Sequence, residues 1–181
     1  MKTKVAFWLI PSEGDRVLFQ AVINTLSQRY DAPTFTPHVT IYLGDYAPDE
    51  FPAEVIAKAI QGVSSFSLKV AQLLYTDAYT KTVFIQFHPS AMLSNLSNAL
   101  ARSSSKPSNF VLNPHMSLIY QHLDQEIKHS LMTSLTLPKT EVFFNEVRAI
   151  LTPEEVQRRE EVERWHVIWM QKLHDKVTPK A

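Results

Sequence analysis

Pro37-His38-Val39-Thr40-Ile41 recurs as Pro114-His115-Met116-Ser117-Leu118 within a chain of 181 residues. Each stretch is apolar apart from one histidine and a hydroxyl two residues on, a pattern that reads as a strand. Residues i and i+2 of a strand point to the same face. Each strand therefore presents an imidazole and a hydroxyl side by side. A groove facing both strands gathers two imidazoles and two hydroxyls around one point. Two imidazoles can serve as general base and general acid at neutral pH. Two hydroxyls can donate hydrogen bonds to anionic oxygens. Together they suffice for metal-free cleavage of a phosphodiester.

The two motifs sit inside a longer internal duplication, spanning roughly 4–77 and 81–151 of a single domain covering 1–181. Lys4 to Ile10 reads as a strand stopped by Pro11-Ser12, and Lys81 to His88 as a strand stopped by Pro89-Ser90. In both, proline ends the strand and serine can cap a helix. The first copy continues as a helix over Glu13 to Arg29, with Leu18, Val22 and Leu26 as its apolar stripe. Ser12 and Asp15 have capping-box spacing. The second copy has a shorter helix carrying Met92, Leu93, Leu96 and Leu100.

A helix follows each histidine strand, Asp49 to Gln61 and Asp124 to Leu135. Each copy closes on a strand, Phe66 to Tyr75 and Glu141 to Leu151. The order strand, helix, histidine strand, helix, strand thus occurs twice. The expected fold is α+β: two pseudo-symmetric lobes, each an antiparallel sheet with outer helices, and a groove between them. An extra strand is expected over 165–172, and the polar tail after Leu173 is expected to fray. Ser103 to Asn109 reads as a flexible loop bordering the groove. Strand pairing does not follow from the sequence, because duplicated lobes can exchange strands.

Bulk composition narrows the function. Net charge is zero, which argues against a long footprint on nucleic acid. A small anionic ligand remains compatible. The absence of cysteine excludes disulfides, thiol nucleophiles and Cys-based zinc sites. It fits a reducing compartment, and a cytoplasmic location is the expectation. The run Val5 to Ile10 is too short for a membrane span and lacks a small-x-small cleavage site, so it reads as a buried strand. His88, His122, His129, His166 and His174 match no ligand spacing, so neither metal nor other cofactor is expected. A monomer is expected.

At His38-Val39-Thr40-Ile41 and His115-Met116-Ser117-Leu118 the chain resembles the 2H phosphoesterase superfamily, defined by two H-x-[ST]-x motifs. The resemblance extends over nearly the whole chain. Within it, Trp8-Leu9-Ile10-Pro11 and His115-Met116-Ser117-Leu118-Ile119-Tyr120 resemble motifs of the plant and yeast type of cyclic nucleotide phosphodiesterase. That group opens ADP-ribose 1″,2″-cyclic phosphate and nucleoside 2′,3′-cyclic phosphates. The resemblance implies that His38 and His115 are the acid/base pair and that Thr40 and Ser117 bind phosphate. It also implies that Tyr120 assists phosphate or water binding and that Trp8 lines the nucleoside side. The Arg-rich surroundings of the bacterial RNA 2′,3′-cyclic phosphodiesterases have no counterpart near either motif.

Four residues have a structural reading beside the functional one. Tyr120 lies three residues beyond Ser117, so strict alternation points it away from the groove unless a bulge or the strand's end turns it. Trp8 fits core packing as well as a cleft wall. Phe84 aligns with Phe7 in the duplication and reads as core first, base stacking second. Thr82 shares the strand face of Phe84 and can reach the groove. The expected substrate is a small nucleotide-like cyclic phosphate. Two alternatives stand beside it: action on short RNA ends or 2′-5′ oligonucleotides, and a nucleotide-binding module without turnover.

Overall fold

Among the described residues, every pairing between the seven strands is antiparallel. The computed structural model describes residues 2–175. In chain order the elements are β1 (Thr3–Pro11), α1 (Glu13–Arg29), β2 (Val39–Asp45), α2 (Pro52–Ala59) and β3 (Phe66–Tyr75). A short 3-10 turn, Tyr79–Lys81, leads into β4 (Val83–Phe87), α3 (Ala91–Ser103), β5 (His115–Ile119), α4 (Gln125–Ser134) and β6 (Glu141–Pro153). The last elements among the described residues are α5 (Arg159–Glu163) and β7 (His166–Lys172).

The pairing order is β2-β1-β6-β3-β4-β5, with β7 added to β6. Two lobes result, α+β in class, and each borrows a strand. β6 runs the length of β1, from Thr3 opposite Pro153 to Pro11 opposite Phe144. β3 pairs with β4 over Val70 to Tyr75. The strand that follows the first histidine motif thus completes the second lobe, and the strand that follows the second motif completes the first. The start of β3 also pairs with the start of β6, Phe66 opposite Phe144, which joins the lobes.

β1 is central and covered on both faces, so its sequence is apolar without alternation. Val5, Phe7 and Leu9 enter the main core; Ala6, Trp8 and Ile10 form a smaller cluster on the opposite face. α1 buries Phe19, Ile23 and Leu26, whereas Leu18 is exposed. The expected stripe is therefore rotated. Adjacent apolar residues at 18–19 and 22–23 allow two helical faces, and packing against the sheet selects one.

The capping box at Ser12 does not form, for its side chain makes no cap bond. Asp15 is buried and instead accepts from the Phe143 amide (2.7 Å) and Lys139 Nζ (2.6 Å), tying α1 to β6. Ser90 does cap α3, accepting from the Leu93 amide. The loop after α3 is pinned: the Ser108 hydroxyl donates to the Leu43 carbonyl, and its amide donates to the Tyr42 hydroxyl at 3.0 Å. The tail stays attached beyond Leu173, because the His174 carbonyl accepts from the Ser65 amide at 2.8 Å. Residues 176–181 of that tail lie outside the described residues. No helix among the described residues is long and apolar enough to cross a membrane.

Candidate active site

His38 immediately precedes β2 and His115 opens β5. Each follows a proline, which has a fixed φ and no amide proton, and which restricts the residue before it to extended backbone. The two turns of chain bring the same contact about. His38 Nδ1 lies 2.6 Å from the Thr36 carbonyl, and His115 Nδ1 lies 2.7 Å from the Asn113 carbonyl. A carbonyl only accepts, so Nδ1 carries the proton in each ring. Nε2 is left as the working nitrogen.

Both histidines line one cleft of about 270 Å³, together with Thr40 and Ser117. The two imidazoles are not equivalent. His38 is 7% exposed. Burial lowers its pKa to about 3; the Thr36 carbonyl opposes this, while the charges of His115 and Arg148 add to it. His115 is less buried. Its pKa is also lowered, by burial first, with the Asn113 carbonyl opposing and the Lys81 charge reinforcing. Burial favours the neutral form of each ring.

Trp8 lies across β1–β2 from Thr40 and stacks on His38, with centroids 3.6 Å apart and planes 9° from parallel. Trp165 meets Trp8 edge-on at 5.1 Å and donates its indole N–H to Thr152 Oγ1 at 2.9 Å. Both tryptophans line the cleft. β5 ends at Ile119, and release from the strand turns Tyr120 into the cleft rather than away from it. The Tyr120 ring stacks on Phe35 at 3.8 Å. Burial pushes its pKa up, and the neighbouring Ser117 hydroxyl pulls the other way.

Two residues are placed otherwise than the strand pattern implies. Phe84 pairs with Ser117, the position Trp8 holds opposite Thr40, so its counterpart is Trp8 rather than Phe7. Irregularities between Val83 and Phe84 and between Phe7 and Trp8 shift both ladders. Phe84 is buried, does not line the cleft, and meets His115 edge-on at 5.5 Å. Thr82 also stays out of the cleft lining. Its hydroxyl donates to the Gln121 carbonyl at 2.6 Å, with the Tyr79 carbonyl at 2.9 Å. It thereby clamps the 3-10 turn whose Thr80 carbonyl accepts from the Ser117 hydroxyl at 2.7 Å.

The sequence motifs did not point to Phe110, Thr152, Glu154 or Trp165, which also line the cleft. Phe110 directly follows the serine-rich loop 103–109, whose position beside the groove was legible. The other three come from the end of β6 and the segment beyond it. They reach the cleft because β6 crosses to the first lobe, a pairing that periodicity does not encode.

An antiparallel α+β fold with His-x-Thr and His-x-Ser strands on one cleft defines the 2H phosphoesterases. E. coli LigT complexed with 3'-AMP shares this fold at a TM-score of 0.61 and 13% identity, covering 97% of this chain and 100% of that one. Another solved phosphoesterase gives 0.60 and 15% identity, covering 96% and 99%. In sequence, the cyclic phosphodiesterase of Arabidopsis thaliana is 24% identical over 131 residues, 70% of each chain. Residues 1–173 match the family of cyclic phosphodiesterase-like proteins, and the chain belongs to that family. It is a phosphodiesterase of the 2H class.

Proposed function

We propose that the protein hydrolyses small nucleotide-like cyclic phosphates, ADP-ribose 1″,2″-cyclic phosphate or nucleoside 2′,3′-cyclic phosphates, by two-histidine acid/base chemistry without a metal ion. One observation carries this reading: both Nδ1 atoms are tied to backbone carbonyls two residues upstream, in a cleft that also presents Thr40 and Ser117. Two basic nitrogens and two hydroxyls then face one phosphate.

Water attacks phosphorus in line, and one Nε2 takes its proton. A P–O bond to that oxygen forms while the P–O bond to the ribose oxygen breaks. The second imidazole, protonated, gives its proton to the leaving oxygen. Thr40 donates a hydrogen bond to a non-bridging oxygen, where charge accumulates, and the Ser117 hydroxyl joins it by turning from the Thr80 carbonyl to the phosphate. The deeper burial of His38 favours it as the base. His115, the less buried ring, is the better holder of the acid's proton, and the bound anion stabilises that charged form.

A small substrate is favoured over an oligonucleotide because, among the described residues, no Lys or Arg lines the cleft. Each acid or base contributes about 10²–10⁴-fold. The test is product analysis in excess EDTA, with His38→Ala and His115→Ala alongside wild type. ADP-ribose 1″,2″-cyclic phosphate, each nucleoside 2′,3′-cyclic phosphate and a short oligonucleotide are the substrates. Turnover of a small cyclic phosphate by wild type alone is expected. Preference for the oligonucleotide at physiological salt, or turnover retained by both folded variants, overturns the reading.

A further inference from the structure

The cleft has two chemically distinct ends. The imidazoles and hydroxyls occupy one. The other is walled by Leu43 and Phe110 and carries Glu154, the only carboxylate among the described lining residues; Trp165 spans the two, edge-on to Trp8 and bonded to Thr152. The strand ladder sets their separation. On β6, Arg148 pairs with Trp8 and Thr152 with Lys4, four residues further along. At about 3.4 Å per residue the two levels are roughly 14 Å apart, room for a ribose and a base.

Glu154 is positioned by its backbone, whose amide donates to the Lys2 carbonyl at 3.1 Å. Its carboxylate lies 3.5 Å from Lys4 Nζ and 3.7 Å from Lys2 Nζ. Both ammonium groups sit closer to Asp45, at 2.5 and 3.2 Å. Direct hydrogen bonds are shorter than the contacts to Glu154, so its oxygens keep acceptor capacity. The side chain is 46% exposed, open to a ligand from the cleft.

We propose that this end of the cleft is a nucleobase subsite in which the Glu154 carboxylate selects guanine. The inference rests on the reading that nucleoside 2′,3′-cyclic phosphates are substrates. An ionised carboxylate only accepts hydrogen bonds, and its two oxygens can take two parallel donors. Guanine presents such a pair, N1–H beside N2–H. Adenine sets its amino donor beside the N1 lone pair, and cytosine sets its amino donor beside the N3 lone pair. Uracil flanks N3–H with two carbonyls. Each of these three meets the carboxylate with at least one repelled acceptor. The apolar walls give a planar base its surface without discriminating between bases.

The experiment measures kcat/KM for the guanosine, adenosine, cytidine and uridine 2′,3′-cyclic phosphates, with wild type and Glu154→Gln. A bidentate pair at a partly exposed site supports a preference of roughly ten-fold for guanosine over uridine. Glu154→Gln should lose several-fold more kcat/KM on guanosine than on uridine. Equal kcat/KM on all four bases, or a guanine preference unchanged by Glu154→Gln, overturns the inference and leaves the proposed activity standing. Calorimetric binding of guanosine and uridine 3′-monophosphates separates the remaining cases. Guanine-selective binding that is lost in Glu154→Gln, without turnover of any cyclic nucleotide, keeps the subsite and overturns the activity. Unselective binding without turnover overturns both.

Discussion

The indole of Trp8 lies flat on the imidazole of His38, centroids 3.6 Å apart, and Trp165 stands edge-on beside the pair, 5.1 Å from Trp8 and 6.1 Å from His38. This contact gives His38 an environment that His115 lacks. His115 instead meets Phe84 edge-on at 5.5 Å. Two motifs of near-identical sequence therefore hold imidazoles of different basicity. Burial dominates the lowering of the His38 pKa to about 3.

Opening that stack should move the pH profile. A base must be neutral to work, so the acid limb of kcat/KM follows its pKa. In Trp8→Leu, water reaches His38 and its pKa rises toward the ordinary value of about 6.5. The acid limb should shift to higher pH by at least one unit. An unmoved limb in a folded Trp8→Leu protein would show that His38 is not the base.

The same burial links stability to pH. The folded-state pKa of His38 lies below its unfolded value, so the unfolded chain binds the extra proton first. Stability from this group is intact above pH 6.5 and is lost as pH falls toward 3. Between pH 6.5 and 5 the loss is at most about 2 kcal/mol. Urea unfolding at both pH values should show a smaller acid loss for His38→Gln than for wild type. His115, whose pKa is lowered too, keeps part of the slope in that variant.

Tyr120→Phe separates the hydroxyl from the ring. The ring's stack on Phe35 remains, so the melting temperature should hold. Removing the hydroxyl takes one polar group from the cleft beside Ser117, a loss of about 1 kcal/mol of substrate contact, or roughly five-fold in kcat/KM. Ser117→Ala should cost more, because it also removes the donor to phosphate. Steady-state kinetics on one nucleoside 2′,3′-cyclic phosphate ranks the two.

Thr82→Val should report as a stability variant. Its hydroxyl serves the Gln121 and Tyr79 carbonyls inside the protein. Leaving buried groups without that partner costs about 1–3 kcal/mol. Thermal denaturation should show the loss, with KM for small substrates little changed. A large KM rise without a stability loss would put Thr82 back among the substrate-binding groups.

Asp15→Ala tests the brace between α1 and β6. It strips the Phe143 amide and Lys139 of their shared acceptor. A loss of about 1–3 kcal/mol is expected in denaturant titration. Asp15→Asn, which keeps an acceptor oxygen for the amide, should recover part of it.

Much of this protein follows from local pattern. The spacing of His38 to Thr40 and of His115 to Ser117 puts an imidazole and a hydroxyl on one strand face, since alternation is a property of the backbone alone. The positions of α1 and β3 follow from periodicity and from proline and polar punctuation, which also act locally. Tertiary structure decided the rest. Leu18 gave way to Phe19 on α1 because the sheet, not the helix, chooses between adjacent apolar faces. Tyr120 entered the cleft because β5 stops one residue before it. Phe84 took the place opposite Ser117 because the ladders slip, and a one-residue slip reverses a side chain's face. Thr152, Glu154 and Trp165 joined the site because β6 pairs with β1 in the other lobe. The unequal basicity of the two histidines has the same origin: it arises from what is packed around each ring, which depends on residues distant in the chain.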